Sequence, residues 1–204
     1  MMNELKITVP ELWEDVNIKT FQKFSKLNLE EMTEMDIMLN TVHIFCGIDL
    51  KTINKIAYND LLEIFNQVAS IINNESDIPL QEIVKIDGIE YGFHPSLKDI
   101  TTGEFADLEH YLTGGAWKNM HKILAVLYRP VKVKYQNTYS IEEYDVNSFE
   151  KRAELFREKL MLDAVLGASV FFSDLGSELL NHFLHYSEAQ LKQMKGENFK
   201  AQVN

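Results

Sequence analysis

The residues with the clearest metal-binding chemistry are two histidines, His182 and His185. They lie three positions apart, a spacing that places both side chains on one face of a helix. A structural zinc site takes four ligands, and the sequence has one cysteine and no His-Glu-x-x-His motif to complete the set. The pattern therefore favours ordinary histidines on an amphipathic helix, and we predict no metal site.

The next candidate for chemistry is Cys46, which lies in the apolar run from Ile44 to Gly47. A catalytic thiol needs a polarised and partly open environment, whereas this context is typical of a small buried hydrophobic residue. The sequence also has no nucleophile elbow, no phosphate-binding glycine loop and no dinucleotide fingerprint. We therefore predict no catalytic residues and no cofactor, and expect that the protein is not an enzyme.

Charge restricts the classes of partner. The formal net charge is −11 at pH 7, which disfavours general binding to nucleic acid or to anionic membranes. Residues 61–115 hold ten acids and two bases, whereas residues 116–137 hold no acid and five bases. These five, here called the basic strip, are Lys118, Lys122, Arg129, Lys132 and Lys134. The strip either docks a separate acidic partner or pairs with acidic surface of the same chain or of a copy of it.

Helix start and stop signals divide much of the chain into helices. The predicted N-caps include Asn17, Thr33, Asp49 and Thr101. Gly47 is predicted to end a helix in a left-handed conformation, and Pro130 to stop the helix that begins after Gly115. The most apolar run, 164–172, is far shorter than the roughly 20 residues of a membrane span, so we expect a buried helix there.

Two β-type runs, 82–86 and 89–93, flank Asp87-Gly88, which predicts a tight hairpin. The alternating run 5–9 is its natural third strand, and 131–135 is a second candidate. These elements predict a mostly α fold, a compact helical bundle-like domain with a small antiparallel sheet. We expect a single domain over 1–204, a hairpin subregion at about 80–95 and a flexible tail at about 196–204.

Several segments together resemble a family of small proteins of tailed bacteriophages. They are Ile7–Pro10, Lys85–Phe93, Asp99–Phe105, Met120–Pro130 and Arg152–Phe156. The family is encoded among structural genes, especially in phages of the Bacteroides and Flavobacterium kind, and the resemblance extends from about residue 5 to residue 180. Its motifs are structural, so no functional residues carry over from the family.

The resemblance implies a virion-structural or tail-assembly protein that acts by binding other phage structural proteins, or further copies of itself. It could be a tail or neck component, an assembly chaperone or a packaged protein. The expected location is the bacterial host cytoplasm during assembly, and also the virion. The alternative is a small regulatory or anti-host binding protein, and an enzyme is the third class.

Overall fold

The computed structural model describes residues 6–73, 78–136 and 138–169. The chain divides into two compact units, Met1–Gly167 and Ala168–Asn204. Of the second unit only Ala168 and Ser169 are described, so the single domain over 1–204 stays a prediction. The predicted tail at 196–204 and the pair His182 and His185 also lie outside the described residues.

Four helices open the fold: α1 (Ile18–Phe24), α2 (Glu34–Cys46), α3 (Leu50–Ile53) and α4 (Tyr58–Ile72). Three of the predicted caps in this part of the chain are confirmed, because Asn17, Thr33 and Asp49 each accept a hydrogen bond from a backbone N–H in the first turn. Gly47 ends α2 at φ 67°, as predicted. Buried residues of α2, α3 and α4 form a local helical core of Met38, Val42, Ile53 and Leu61.

The sheet has four antiparallel strands in the order β1-β2-β3-β4. They are β1 (Ile83–Ile86), β2 (Ile89–Phe93), β3 (Tyr128–Tyr135) and β4 (Thr138–Ile141). Between β2 and β3 the chain forms α5 (Thr102–Thr113) and α6 (Ala116–Leu127), and after β4 it forms α7 (Val146–Lys159). A further helix begins at residue 162. Every strand therefore pairs with its neighbour in sequence, and only the β2–β3 connection is long.

The predicted hairpin is present: Ile86 pairs with Ile89 across a turn whose two central residues have positive φ, 50° at Asp87 and 83° at Gly88. The predicted fold class is wrong, however, because the structure is mixed α/β with a four-stranded antiparallel sheet in the described residues. The helix predicted to stop at Pro130 ends at Leu127, and β3 takes the next eight residues.

Of the two candidates for a third strand, one is wrong and the other is confirmed. The run 5–9 forms no strand over its described residues 6–9, where Ile7 and Val9 are only half-buried. The run 131–135 is a strand of the sheet: it is the outer half of β3, whose first residues pair with β2, and its own partner β4 was not predicted. The sheet therefore extends from the hairpin through β3 to β4 and has no N-terminal strand in the described residues.

One face of the sheet packs on α7 through aromatic side chains. The rings of Tyr91 and Phe156 meet edge to face at 5.1 Å, as do those of Phe93 and Tyr128 at 5.1 Å. Phe156 and Tyr128 are completely buried. This aromatic layer fixes β2 and β3, whose other face carries polar groups.

In the described residues no helix has both the length and the apolar character needed to cross a membrane.

Candidate functional site

Three ionisable side chains meet inside the protein where β2 ends and where β3 and α5 begin. His94 directly follows β2, Arg129 is the second residue of β3, and Glu104 lies in the first turn of α5. Arg129 pairs directly with Gly92 across the sheet, so it lies on the face opposite the aromatic layer. We call His94, Glu104 and Arg129 the buried ionic cluster, since their exposed fractions are only 9%, 1% and 4%.

The carboxylate of Glu104 is at the centre of the buried ionic cluster. Its Oε2 accepts hydrogen bonds from the backbone N–H and the hydroxyl of Thr101, both at 2.7 Å, which completes the predicted capping box of α5. Its Oε1 lies 2.6 Å from Nη1 of Arg129 and 3.8 Å from Nε2 of His94. One carboxylate therefore caps a helix and also joins that helix to the sheet.

The surroundings determine which members of the buried ionic cluster are charged. Burial opposes ionisation of Glu104, but the hydrogen bonds from Thr101 and the charge of Arg129 outweigh it and hold the pKa below its usual value. Burial lowers the pKa of Arg129 against the effect of Glu104, and an arginine still stays charged at neutral pH. Burial also lowers the pKa of His94, so the imidazole is neutral at pH 7. The cluster is therefore a charged pair with a neutral histidine beside it.

A second buried arginine, Arg152 of α7, lies close enough to Arg129 to depress its own pKa, although burial is the larger cause. Its Nε donates to the carbonyl of Ala125 at 2.9 Å and its Nη1 to the hydroxyl of Ser148 at 3.3 Å. Nη2 of Arg152 and Nε of Arg129 have no hydrogen-bond partner among the described residues. The interior thus holds two arginines that disfavour each other's charge, and among the described residues only Arg129 forms an ion pair with Glu104, which makes the Arg129–Glu104 contact costly to lose.

The basic strip does not form one surface. Arg129 is buried against Glu104, and Lys122 lies 3.3 Å from Glu150 with its ammonium 5.3 Å from the centre of the Tyr111 ring. Lys134 lies 3.3 Å from Glu90, while Lys118 and Lys132 are exposed and have no ion-pair partner among the described residues. Two of the partners, Glu90 and Glu104, belong to the acidic segment 61–115, so the acidic and basic segments partly neutralise each other within the chain.

The outer half of β3 and its partner β4 form a two-stranded extension of the sheet. We call residues Val131–Tyr135 and Thr138–Ile141 the ribbon. Tyr135 pairs with Thr138 and Val133 with Ser140, so these four side chains share one face. Val133 is 61% exposed and Tyr135 is 71% exposed. Two large apolar side chains on one open strand face are typical of a contact surface.

A half-open cleft of about 240 Å³ lies elsewhere in the same unit. Its walls come from the segment before α1, from the end of α4, from the segment before β1 and from the helix that begins at residue 162. They combine apolar and acidic groups: Glu11, Leu12, Trp13, Glu14, Ser70, Ile71, Ile78 and Asp163. We call this the acidic cleft. No sequence pattern indicates it, because four separate segments have to fold together before it exists.

The predicted hydrophobic role of Cys46 fits its surroundings. Cys46 is partly buried, and burial raises the pKa of its thiol to about 11. The described residues contain no group of three or more potential metal ligands. The buried ionic cluster was missed, although an isolated Arg129 within the otherwise apolar run 123–131 was a usable signal. No protein-family model, no curated protein and no solved structure matches this chain.

Proposed function

We propose that this chain is a virion-structural or tail-assembly protein of a tailed bacteriophage and that it acts by binding other proteins through the ribbon. The phage context rests on the sequence resemblance described above. The observation that carries the binding role is the open ribbon face, on which Val133 and Tyr135 are 61% and 71% exposed. Tyrosine contributes large contact area at small conformational cost, which is why it is enriched at binding surfaces.

The ribbon is held firmly at its base, which suits a binding surface. Arg129 at the start of β3 is fixed by Glu104, and the hydroxyl of Tyr139 on β4 donates to the carbonyl of Phe93 at 2.8 Å. The Tyr139 ring lies over Gly92, where a Cβ would come within 2.5 Å of its Cε2 atom. A surface held in this way loses little conformational entropy when a partner binds.

The test uses purified phage particles from infections in which the chain carries Val133→Ser and Tyr135→Ser together. Quantitative mass spectrometry of the particles measures how much chain they contain and whether tails are complete. If the protein is a virion component, we expect to find the wild-type chain in the particles. If it is an assembly chaperone, we expect complete tails only when the wild-type chain is present. In either case the ribbon variant should behave as if the chain were absent.

A matched control is Tyr58→Ser, because Tyr58 is also an exposed aromatic residue (56%) but lies on α4. This variant is expected to behave as the wild type. Two results together would contradict the assembly role. Wild-type particles would contain none of this protein, and a strain that lacks the protein would still produce normal particles. That result would favour the alternative of a small regulatory or anti-host binding protein.

A further inference from the structure

We infer that the ribbon of one copy docks into the acidic cleft of a second copy, which makes a head-to-tail contact. This inference rests on the proposed binding role of the ribbon and specifies the occupant as another copy of this chain. It follows from three observations: the ribbon is apolar and positively charged, the cleft is apolar and negatively charged, and their sizes are compatible.

The ribbon supplies the apolar and basic half of the contact. Tyr135 and Val133 are its exposed apolar groups. Lys132 is exposed without an ion-pair partner among the described residues, and Lys134 is bound only by a partly exposed Glu90 at 3.3 Å. Lys134 pairs with Tyr139 on the strand face opposite Val133 and Tyr135, so Lys132 supplies the free positive charge of the contact.

The acidic cleft supplies the complementary half. Leu12, Trp13, Ile71 and Ile78 provide apolar walls, and the carboxylates come from Glu11, Glu14 and Asp163. Glu11 and Glu14 are exposed and have no ion-pair partner among the described residues, whereas Asp163 accepts a hydrogen bond from Gln81 at 2.6 Å. The volume of about 240 Å³ is below the range of pockets for drug-sized ligands, about 300–1,000 Å³, and suits one or two side chains.

A second copy is the occupant because this chain itself carries a surface that complements the ribbon. The chain carries a net charge of −11, so copies repel each other unless a positive surface meets a negative one. Among the exposed features described above, the ribbon combines unpaired positive charge with large apolar groups, and the acidic cleft combines the opposite charge with apolar walls. Since these surfaces differ, the contact is heterologous and leads to rings or to open chains of copies.

The decisive experiment is a charge swap measured by analytical ultracentrifugation of the full chain. Wild-type protein is expected to self-associate, with an affinity in the µM range or tighter. Lys132→Glu and Glu14→Lys should each weaken self-association at least about tenfold, because each places like charges opposite each other. Tyr135→Ala should weaken it by roughly 30-fold, as expected for the central contact residue.

A mixture of the Lys132→Glu and Glu14→Lys proteins is then expected to restore association. In that mixture the altered ribbon of the first protein meets the altered cleft of the second with the charges exchanged. The unaltered ribbon of the second protein meets the unaltered cleft of the first. The matched control is Lys118→Glu, an exposed lysine outside the ribbon, which should leave association unchanged. Circular dichroism checks that every variant is folded.

Three outcomes would overturn the inference. The first is a wild-type chain that stays monomeric up to about 100 µM, because its self-association would then be weaker than the µM range. The second is that Lys132→Glu and Glu14→Lys leave self-association unchanged, and the third is that a mixture of these two folded variants stays monomeric. These outcomes are separable from the particle experiment. A monomeric chain that still needs Tyr135 to enter particles docks a different partner, so the assembly role stands. A chain that self-associates but never affects particles retains the head-to-tail contact and loses the phage role.

Discussion

Replacing Arg129 with methionine should destabilise the protein by about 3–5 kcal/mol, because it leaves a buried carboxylate without its counter-charge. Glu104 is 1% exposed, and its Oε1 lies 2.6 Å from the guanidinium that the substitution removes. Methionine fills much of the same space, so the loss reports on the charge more than on a cavity. For a chain of this length, the melting temperature should fall by roughly 6–20 °C.

The assay is equilibrium unfolding in urea at pH 7, followed by circular dichroism. The matched control is Lys134→Met, which breaks an ion pair of the same charge type whose side chains are 48% and 42% exposed. That exposed pair should contribute only about 0.2–1 kcal/mol. The double variant Glu104→Gln with Arg129→Met should lose less stability than the two single losses added together, since it leaves no unpaired charge in the pair.

The effect of Arg129→Met should also depend on pH in a defined direction. The pKa of Glu104 is lower in the folded protein than in the unfolded chain, where it is about 4.3. The ionised carboxylate therefore stabilises the wild type at pH values above about 4.3, and this stabilisation is lost as the pH falls through the folded pKa. The difference between wild type and Arg129→Met should therefore shrink as the pH falls, first because the unpaired Glu104 of the variant takes up a proton, and fully once the pH is below the folded pKa of wild-type Glu104. A loss under about 1 kcal/mol at pH 7 with an unchanged urea dependence would refute the assignment of Arg129 and Glu104 as a stabilising buried pair.

Three further substitutions test the fold. Gly92→Ala should cost about 1–3 kcal/mol in urea unfolding, since its Cβ would come within 2.5 Å of Tyr139 Cε2 and 2.9 Å of Ile141 Cγ2. In a Tyr139→Ala background the same change should cost less, and an equal cost would contradict this packing. Gly88→Val should cost roughly 1–2 kcal/mol because Gly88 has φ 83°, and an unchanged melting temperature would argue against the turn. Burial lowers the pKa of His94, so wild-type stability should fall as pH drops below about 6.5, the unfolded value; His94→Gln should reduce this dependence, and an identical pH profile would exclude His94 as its source.

Local chemistry explains which elements were predictable. The caps at Asn17, Thr33 and Thr101 depend on hydrogen bonds that span only three residues, and the Asp87-Gly88 turn depends on the φ angles of two. Each signal is complete within a short stretch of sequence, so tertiary structure does not alter it.

The sheet beyond the hairpin was not predictable in the same way. Residues 123–128 continue the apolar pattern of α6, and only pairing with β2 and β4 turns Tyr128–Tyr135 into a strand. Pro130 looked like a helix stop, but it takes a place in β3 opposite Tyr91. The first residues of β3 owe their strand identity to β2, a partner distant in sequence, which is the usual limit of β propensity.

The basic strip shows the same limit at the level of single residues. Arg129 and Lys132 are three positions apart in sequence, yet Arg129 is 4% exposed and Lys132 is exposed. A count of charges along the sequence does not distinguish these two residues. In the structure, however, Arg129 at the start of β3 contacts Glu104, a residue 25 positions earlier in the chain. A contact of that separation becomes visible only in the folded structure.

This division between buried and exposed bases determines which experiments can test docking. Reversing the whole basic strip to glutamate would place a second carboxylate beside Glu104, in an interior that excludes water. Such a protein should unfold, because neither carboxylate would have a counter-charge and both would be desolvated. Loss of assembly would then report lost folding rather than a lost contact. Reversing Lys132 alone changes the surface charge of the ribbon and leaves the Arg129–Glu104 pair intact, so only the single reversal separates binding from stability.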